Sequence, residues 1–262
     1  MELTSNVVRP IIRFQDVYKS FGPLVVLKGL NLDIPEDQTS VVIGPSGTGK
    51  SVLLKHIVGL LKPDAGSVWF HDQQVDKLTE EQFEPIRKQI GFLFQQGALF
   101  DSMNVGDNVA YPLRLHKLKS ESEIRETVHE KLSVVGMDGS EKKMPGDLSG
   151  GQRKRVALAR AISMNPEVIL YDEPTTGLDP IRADVINELI LKLQEEMKVT
   201  GIVVTHDMAS AFKVADQIVM LYNGQIIFRG NAEQIRQCPE EHVQRFIQGK
   251  ADEEDLKALR RL

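Results

Sequence analysis

The sequence predicts an α/β domain with a parallel sheet, a phosphate-binding loop (P-loop) and an inserted helical segment. A glycine-rich loop at residues 44–51 follows an apolar, strand-like run and precedes a helix-like one. Short β-rich runs at 168–171 and 202–204 alternate with helical patterns, as in a parallel sheet covered on both faces. The intervening sequence changes to helix and loop, so we expect a helical subdomain at about residues 97–160, inserted in the α/β core.

Composition excludes several classes of protein. The 262 residues are 41% hydrophobic, which supports a substantial core. The formal charge of −5, from 32 basic and 37 acidic residues, gives no overall basic field for nucleic acid or anionic lipid. Cys238 is the single cysteine, which excludes an internal disulfide and a cysteine metal cluster. We see no signal peptide and no stretch near the ~18 apolar residues that span a bilayer, so we expect a cytoplasmic chain that reaches a membrane through a partner.

The N-terminal part predicts a small antiparallel β region. Residues 11–18 and 24–34 are β-like and are separated by a Phe-Gly-Pro turn. Another strand is expected at 67–70. Thr79 and Gln82 have the spacing of a capping box, which predicts a helix running towards Lys88, and Pro85 makes that helix short or bent.

The loop at 44–51 has the composition of a nucleotide-binding loop. Its glycines allow backbone N–H groups to turn inward around phosphate oxygens. Lys50 can reach the outer phosphates, Ser51 offers a hydroxyl to Mg²⁺, and the following helix N-terminus adds partial positive charge. The alternative is a glycine-rich turn before a buried helix, but the strand-loop-helix context favours binding of a nucleoside triphosphate. The loop residues are Gly44, Pro45, Ser46, Gly47, Thr48, Gly49, Lys50 and Ser51.

Further along, Ser120 and Glu123 predict a capped helix, whose apolar residues recur at helical spacing and are read as core. Those residues are Ile124, Val128, Leu132 and Val135. The pair Asn223-Gly224 lies between two β-like runs and predicts a type I′ hairpin that closes the edge of the sheet.

Two carboxylates end the strand-like run at 168–171. We expect this strand to lie beside the strand of the P-loop, which would bring both carboxylates to the ligand-binding edge of the sheet. Asp172 can then hold Mg²⁺, and Glu173 can polarise the water that attacks the γ-phosphate. The alternative for this pair alone is an ordinary polar turn.

Residues 148–152 predict a second anion site. Ser149, Gly150 and Gly151 precede a helix and can present a hydroxyl and unobstructed N–H groups to phosphate. A plain serine-capped helix start is the alternative. The chain thus carries two loops suited to phosphate.

The order of these motifs resembles that of ABC-transporter ATPase subunits over nearly the whole chain. The resemblance implies a RecA-like P-loop core with an antiparallel β subdomain and an inserted helical signature subdomain, an ATPase domain at residues 1–249, and ATP and Mg²⁺ as ligands. It further implies that Phe21 stacks on adenine, that Gln95 contacts Mg²⁺ or the attacking water, and that His206 contacts the γ-phosphate. Tyr18 is the competing aromatic residue and is read as strand packing.

The same resemblance implies a head-to-tail dimer. In that family the loop corresponding to Ser149, Gly150, Gly151 and Gln152 of one subunit closes on ATP held by the other. Asp179 would lie at the same interface and couple the two sites.

Residues 93–105, 107–114 and 143–145 are similar to those of ATPases of Mla/Mce-type lipid transporters. This similarity implies transport of phospholipids between membranes, integral-membrane permease partners, and Mce-domain and small accessory subunits. It places the chain on the cytoplasmic face of the inner membrane, peripheral through the permease, and implies no nucleic-acid partner. Residues 175–179 and Gln152 follow the general ABC pattern, from which some close Mla relatives depart. The alternatives are the ATPase of a small-solute importer, a soluble ABC protein acting on DNA or ribosomes, and a soluble regulatory nucleotide-binding protein.

Residues 250–262 predict a C-terminal helical extension. Acidic residues come first and basic residues last, as a helix dipole favours, and three leucines form one narrow stripe. We expect this stripe to dock on the second ATPase subunit; a frayed, solvated terminus is the alternative.

Overall fold

Two sheets form the framework of the computed structural model, which describes residues 9–251. The larger sheet has six strands in the order β10-β9-β3-β8-β7-β6, and all its neighbouring pairs are parallel except β9 and β10. Its strands are β3 (Thr39–Ile43), β6 (Ile90–Leu93), β7 (Val168–Asp172), β8 (Thr200–Val204), β9 (Gln217–Tyr222) and β10 (Gln225–Gly230).

The smaller sheet is antiparallel, as the N-terminal pattern predicts. Its four strands have the order β2-β1-β4-β5. They are β1 (Pro10–Phe21), β2 (Leu24–Pro35), β4 (Ala65–Phe70) and β5 (Gln73–Gln74).

Alternate residues of the parallel strands belong to two cores. On β3, Val42 packs into a cluster with the antiparallel sheet, whereas Val41 and Ile43 pack into a cluster with the helices. This alternation is the period of two that a strand imposes, and it explains why these strands are apolar throughout. The helices are α1 (Lys50–Ile57), α2 (Glu80–Arg87), α3 (Val105–Leu115), α4 (Glu121–Val134), α5 (Gly150–Ala161), α6 (Pro180–Met197), α7 (Met208–Val214), α8 (Ala232–Arg236) and α9 (Glu241–Ile247).

The prediction that β7 lies directly beside β3, the strand of the P-loop, is wrong, because β8 lies between them. Val203 pairs with Val41 on one side and with Tyr171 on the other. All five residues of β8 are buried, which suits a central strand that is hydrogen-bonded on both edges and covered on both faces. An apolar run shows that a strand is central but does not state which strands flank it.

Local signals are confirmed more directly. Both predicted capping boxes form, at Thr79 for α2 and at Ser120 for α4, and the apolar stripe of α4 is buried. Asn223 and Gly224 both have positive φ, of 49° and 80°, as a type I′ turn requires. The hairpin they form places β10 at the edge of the sheet.

No helix within residues 9–251 has the length and apolar character needed to cross a membrane. The predicted helical extension lies outside the described residues from position 252 onward.

Candidate nucleotide-binding site

The P-loop joins the carboxyl end of β3 to the start of α1. Gly44 has φ 148°, and a Cβ there would lie 2.1 Å from the carbonyl oxygen of Leu221, so only glycine fits. Gly49 has φ 105° and caps α1; a Cβ there would meet the side chain of Val26 at 2.9 Å. The loop can therefore lie close to its neighbours and leave its N–H groups at a helix N-terminus, where anions are favoured.

Lys50 is buried beneath the loop. Its ammonium donates hydrogen bonds to the carbonyl oxygens of Gly44 at 2.7 Å and Pro45 at 2.8 Å. Burial lowers the pKa of Lys50, while the carboxylates of Glu173 and Asp172 oppose that shift. A fixed cation is thus held at the floor of an anion-binding loop.

A pocket of about 400 Å³ opens over this loop. It is large enough for a small-molecule ligand, and it draws residues from both sheets. Ten of the site residues predicted from the sequence line the pocket: Phe21, Ser46, Gly47, Gly49, Lys50, Ser51, Gln95, Asp172, Glu173 and His206. Three valines that were not predicted also line it: Val26, Val52 and Val204.

Phe21 and Tyr18 are separated by the fold. The Phe21 ring is exposed at the pocket mouth, with the Lys19 ammonium 5.7 Å from its centroid. Tyr18 lies outside the pocket lining and packs on β2, where a Cβ added to Gly29 would lie 2.8 Å from the Tyr18 hydroxyl. The aromatic face available to a ligand in the pocket is therefore that of Phe21.

Oxygen donors meet where the P-loop approaches the end of β7. The Ser51 hydroxyl donates to Oδ1 of Asp172 at 3.4 Å. Burial raises the pKa of Asp172, the hydrogen bond from Ser51 opposes that shift, and the charge of Glu173 adds to it. A hydroxyl and a carboxylate are the hard donors that Mg²⁺ takes beside water and phosphate oxygens, so this pair fits that ion.

Glu173 is held in an unusual backbone conformation. Its φ is +50°, and its N–H donates to the carbonyl oxygen of Val204 at 2.9 Å. The carboxylate lies 2.9 Å from Nδ1 of His206 and accepts from the Thr176 hydroxyl at 2.9 Å. Its side chain is only 13% exposed, so the carboxylate has a fixed orientation towards the pocket.

Lys154 also contacts this turn, although the sequence analysis did not identify it as a site residue. Its ammonium donates to carbonyl oxygens at and after Glu173. One signal was available: Gly151, Lys154 and Leu158 share one face of a helix predicted to be packed, and a buried lysine needs partners.

The second predicted phosphate loop lies apart from the pocket. Ser149 forms a capping box with Gln152, in which Ser149 N donates to Gln152 Oε1 at 2.9 Å and Gln152 N donates to Ser149 Oγ at 3.3 Å. Asp179 caps α6 by accepting from the Arg182 N–H at 3.0 Å. Ser149, Gly151, Gln152 and Arg182 line a separate pocket of about 160 Å³, and Gly150 lies next to Leu178. The chain by itself does not bring its two phosphate loops together.

An apolar groove of about 410 Å³ adjoins the pocket along the chain, since Phe94 lines the groove and Gln95 lines the pocket. Its walls include two aromatic pairs, Phe92 with Phe94 and Phe100 with Tyr111, whose ring centroids are 4.1 Å and 4.7 Å apart. Arg160 also lines the groove and donates to the carbonyl oxygens of residues 97 and 98, both at 2.8 Å. Residues 94 and 95 therefore connect the groove directly to the pocket.

Comparison with known proteins agrees with this geometry. The family model described as ABC transporter matches residues 27–176. The chain is 44% identical over 239 residues to the probable ribonucleotide transport ATP-binding protein mkl of Mycobacterium leprae, covering 91% of this chain and 69% of that protein. It is 41% identical over 231 residues to MlaF of Haemophilus influenzae, an intermembrane phospholipid transport system ATP-binding protein, covering 88% of each.

Among solved structures, a dimeric post-hydrolysis state of the ATP-binding cassette MJ0796, bound to ADP and Pi, matches with a TM-score of 0.77. It is 35% identical and covers 84% of this chain and 98% of that one. The fold predicted from the sequence, a P-loop α/β core with an antiparallel β region and inserted helices, is confirmed. The chain therefore belongs to the ABC transporter family, as an ATP-binding cassette that hydrolyses ATP.

Proposed function

We propose that this chain powers a transporter that moves phospholipids between membranes. The observation that carries the proposal is the match to MlaF, which spans 88% of both chains at 41% identity. The chain thus corresponds to that phospholipid-transport ATPase almost from end to end.

Ribonucleotide transport is the second candidate, because mkl is 44% identical. That match leaves about a third of mkl without a counterpart here, since it covers 69% of it. Phospholipid is therefore the substrate class we favour.

In the proposed site, ATP lies along the pocket with its phosphates on residues 44–51 and its base on Phe21. Lys50 balances the charge of the outer phosphates. Ser51, Asp172 and Gln95 are proposed to hold Mg²⁺, which would neutralise charge developing on the phosphates. The oxygen pair of Ser51 and Asp172 supports this assignment.

Glu173 is proposed as the general base for the attacking water. The position of its carboxylate at the pocket wall, fixed by hydroxyl and imidazole contacts, supports that role. His206 is exposed on its outer side and is proposed to reach the γ-phosphate while keeping its contact with Glu173.

The separation of the two phosphate loops supports a head-to-tail dimer. Ser149, Gly150, Gly151 and Gln152 of one subunit would complete the site of the other, with Asp179 at the same interface. The dimeric cassette MJ0796 matches this fold, which adds support. Each site would then turn over only when the dimer closes.

We further propose that the apolar groove receives a cytoplasmic segment of an integral-membrane permease. Phe94 and Phe100 are 42% and 40% exposed, which is costly unless a partner covers them. The chain would then be peripheral, on the cytoplasmic face of the cell membrane, with Mce-domain and small accessory subunits as further partners.

The test is to purify the tagged chain with its partners and identify bound lipids and proteins by mass spectrometry. The complex in lipid nanodiscs is then assayed for ATP hydrolysis with added phospholipids or with ribonucleotides other than ATP. Retained phospholipid and stimulation by phospholipid would support the proposal, with a Glu173→Gln complex as the blank. Stimulation by ribonucleotides alone would favour the second candidate and contradict lipid transport.

A further inference from the structure

Lys154 is a buried lysine on α5, the helix that begins immediately after Ser149. It is 5% exposed. Its ammonium donates to three carbonyl oxygens, those of Glu173 at 3.1 Å, Pro174 at 2.6 Å and Thr176 at 2.9 Å. All three belong to the turn that carries the proposed general base.

Backbone bonds also run from the N–H of Glu173 to the Val204 carbonyl oxygen and from the N–H of Thr176 to the Glu173 carbonyl oxygen, but Lys154 is the side chain that bonds three carbonyls of the turn at once. Glu173 has a left-handed backbone, which a side-chain-bearing residue adopts at a cost. Thr176, at the far end of the turn, donates its hydroxyl to the Glu173 carboxylate. An ammonium that bonds the carbonyls of both residues therefore helps to fix the backbone on which that hydroxyl contact depends.

A charged group is an expensive way to pack this space. Burying an ammonium has a desolvation cost, and an apolar side chain of similar volume often gives equal stability. Packing alone therefore does not call for lysine, whereas orienting three carbonyls in one turn does.

We propose that Lys154 is a positioning residue for Glu173. Through it, the helix that follows the second phosphate loop holds the carboxylate of the first site in place. In each chain, Lys154 would thus link two parts that serve different ATP molecules. The second phosphate loop contacts the ATP held by the partner, and Glu173 acts on the ATP held by the chain itself. This inference rests on the proposed role of Glu173.

The test compares steady-state ATP hydrolysis by the assembled complex carrying Lys154→Met with the wild type. We expect kcat to fall about 10- to 100-fold, as for a catalytic group displaced by a fraction of an ångström to an ångström. The KM for ATP should stay within about threefold, because the lysine does not line the pocket. Lys154→Arg, which keeps the charge and the donors, should retain more activity than Lys154→Met.

The matched control is Lys131→Met. Lys131 is also 5% exposed, but it lies on α4 and its ammonium pairs with Glu130. We expect the kcat of Lys131→Met to stay within about twofold of wild type. A substitution that shares no partners with the site should not be coupled to it. Lys154→Gln is measured in parallel in case the methionine variant fails to fold.

A double variant separates positioning from a general loss of structure. In a Glu173→Gln background there is no base to position, so adding Lys154→Met should change the residual rate by less than about twofold. An equal fall in both backgrounds would overturn the inference, as would a wild-type kcat for Lys154→Met and Lys154→Gln. Wild-type turnover by Glu173→Gln alone would instead overturn the proposed base itself.

Discussion

Nδ1 of His206 lies 2.9 Å from Oε1 of Glu173, and the main chain links the same two segments. The Glu173 N–H donates to the carbonyl oxygen of Val204, two residues before the histidine. The ends of β7 and β8 are therefore joined by a backbone bond and a side-chain contact at the same place. We therefore expect a change in the position of either residue to displace the other.

The first prediction is that Glu173→Gln keeps ATP binding and lowers hydrolysis by about 10²- to 10⁴-fold, the usual contribution of a positioned general base. Glutamine keeps an oxygen for the Thr176 hydroxyl, so the turn should hold its shape. Nucleotide binding by fluorescence titration and phosphate release by the complex measure the two effects. Lys50→Ala is the contrast, because it should weaken binding itself; unchanged turnover by Glu173→Gln would remove Glu173 from the base role.

The second prediction concerns the loop at the start of α5. Ser149→Arg should leave ATP binding by the single chain intact, because the loop lies away from the chain's own pocket. The same substitution should stop turnover by the dimer. A bulky cation there would block the partner's γ-phosphate.

Mixing Ser149→Arg with Lys50→Ala chains tests the head-to-tail geometry. Both lesions then fall on one composite site and leave the other whole, so we expect hydrolysis above that of either variant alone. Full turnover by Ser149→Arg alone would contradict the shared site.

The third prediction concerns the apolar groove. Phe100→Asp should reduce recovery of the permease with the tagged chain, because a carboxylate would be buried in the apolar contact. ATP binding should be unchanged, since Phe100 lies outside the nucleotide pocket. Leu60→Asp is the control, as Leu60 is 62% exposed and lies outside the groove lining. Equal recovery for wild type, Phe100→Asp and Leu60→Asp would exclude the groove as the docking site.

The fourth prediction concerns pH and Lys154. Burial lowers the pKa of Lys154 to about 8 in the folded chain, from an ordinary value of 10.5. Between these values the unfolded chain binds more protons than the folded one, so this residue's contribution to stability rises with pH. The melting temperature of wild type minus that of Lys154→Met should therefore increase from about pH 7.5 to about pH 9.5, because the methionine variant lacks this titration. Parallel melting curves across that range would show that Lys154 keeps an ordinary pKa.

Much of the molecule could be predicted because its signals are local. The P-loop, the capping boxes at Thr79 and Ser120 and the Asn223-Gly224 turn each depend on a few neighbouring residues. The placement of β8 between the two motif strands could not be read in this way, since strand order depends on pairing between distant segments. The contacts of Lys154 were missed for the same reason: its partners are 19 to 22 residues away along the chain.

The central place of β8 also has a consequence for biosynthesis. Strand β8 is the only bridge in the described sheet between β3 with β9 on one side and β7 with β6 on the other. A nascent chain that has emerged only as far as Glu173 holds the P-loop and both carboxylates, yet lacks the strand that aligns them. We therefore expect the phosphate site to form late, after β8 has left the ribosome. Until then β7 has one unpaired apolar edge and β3 has neither of its neighbours.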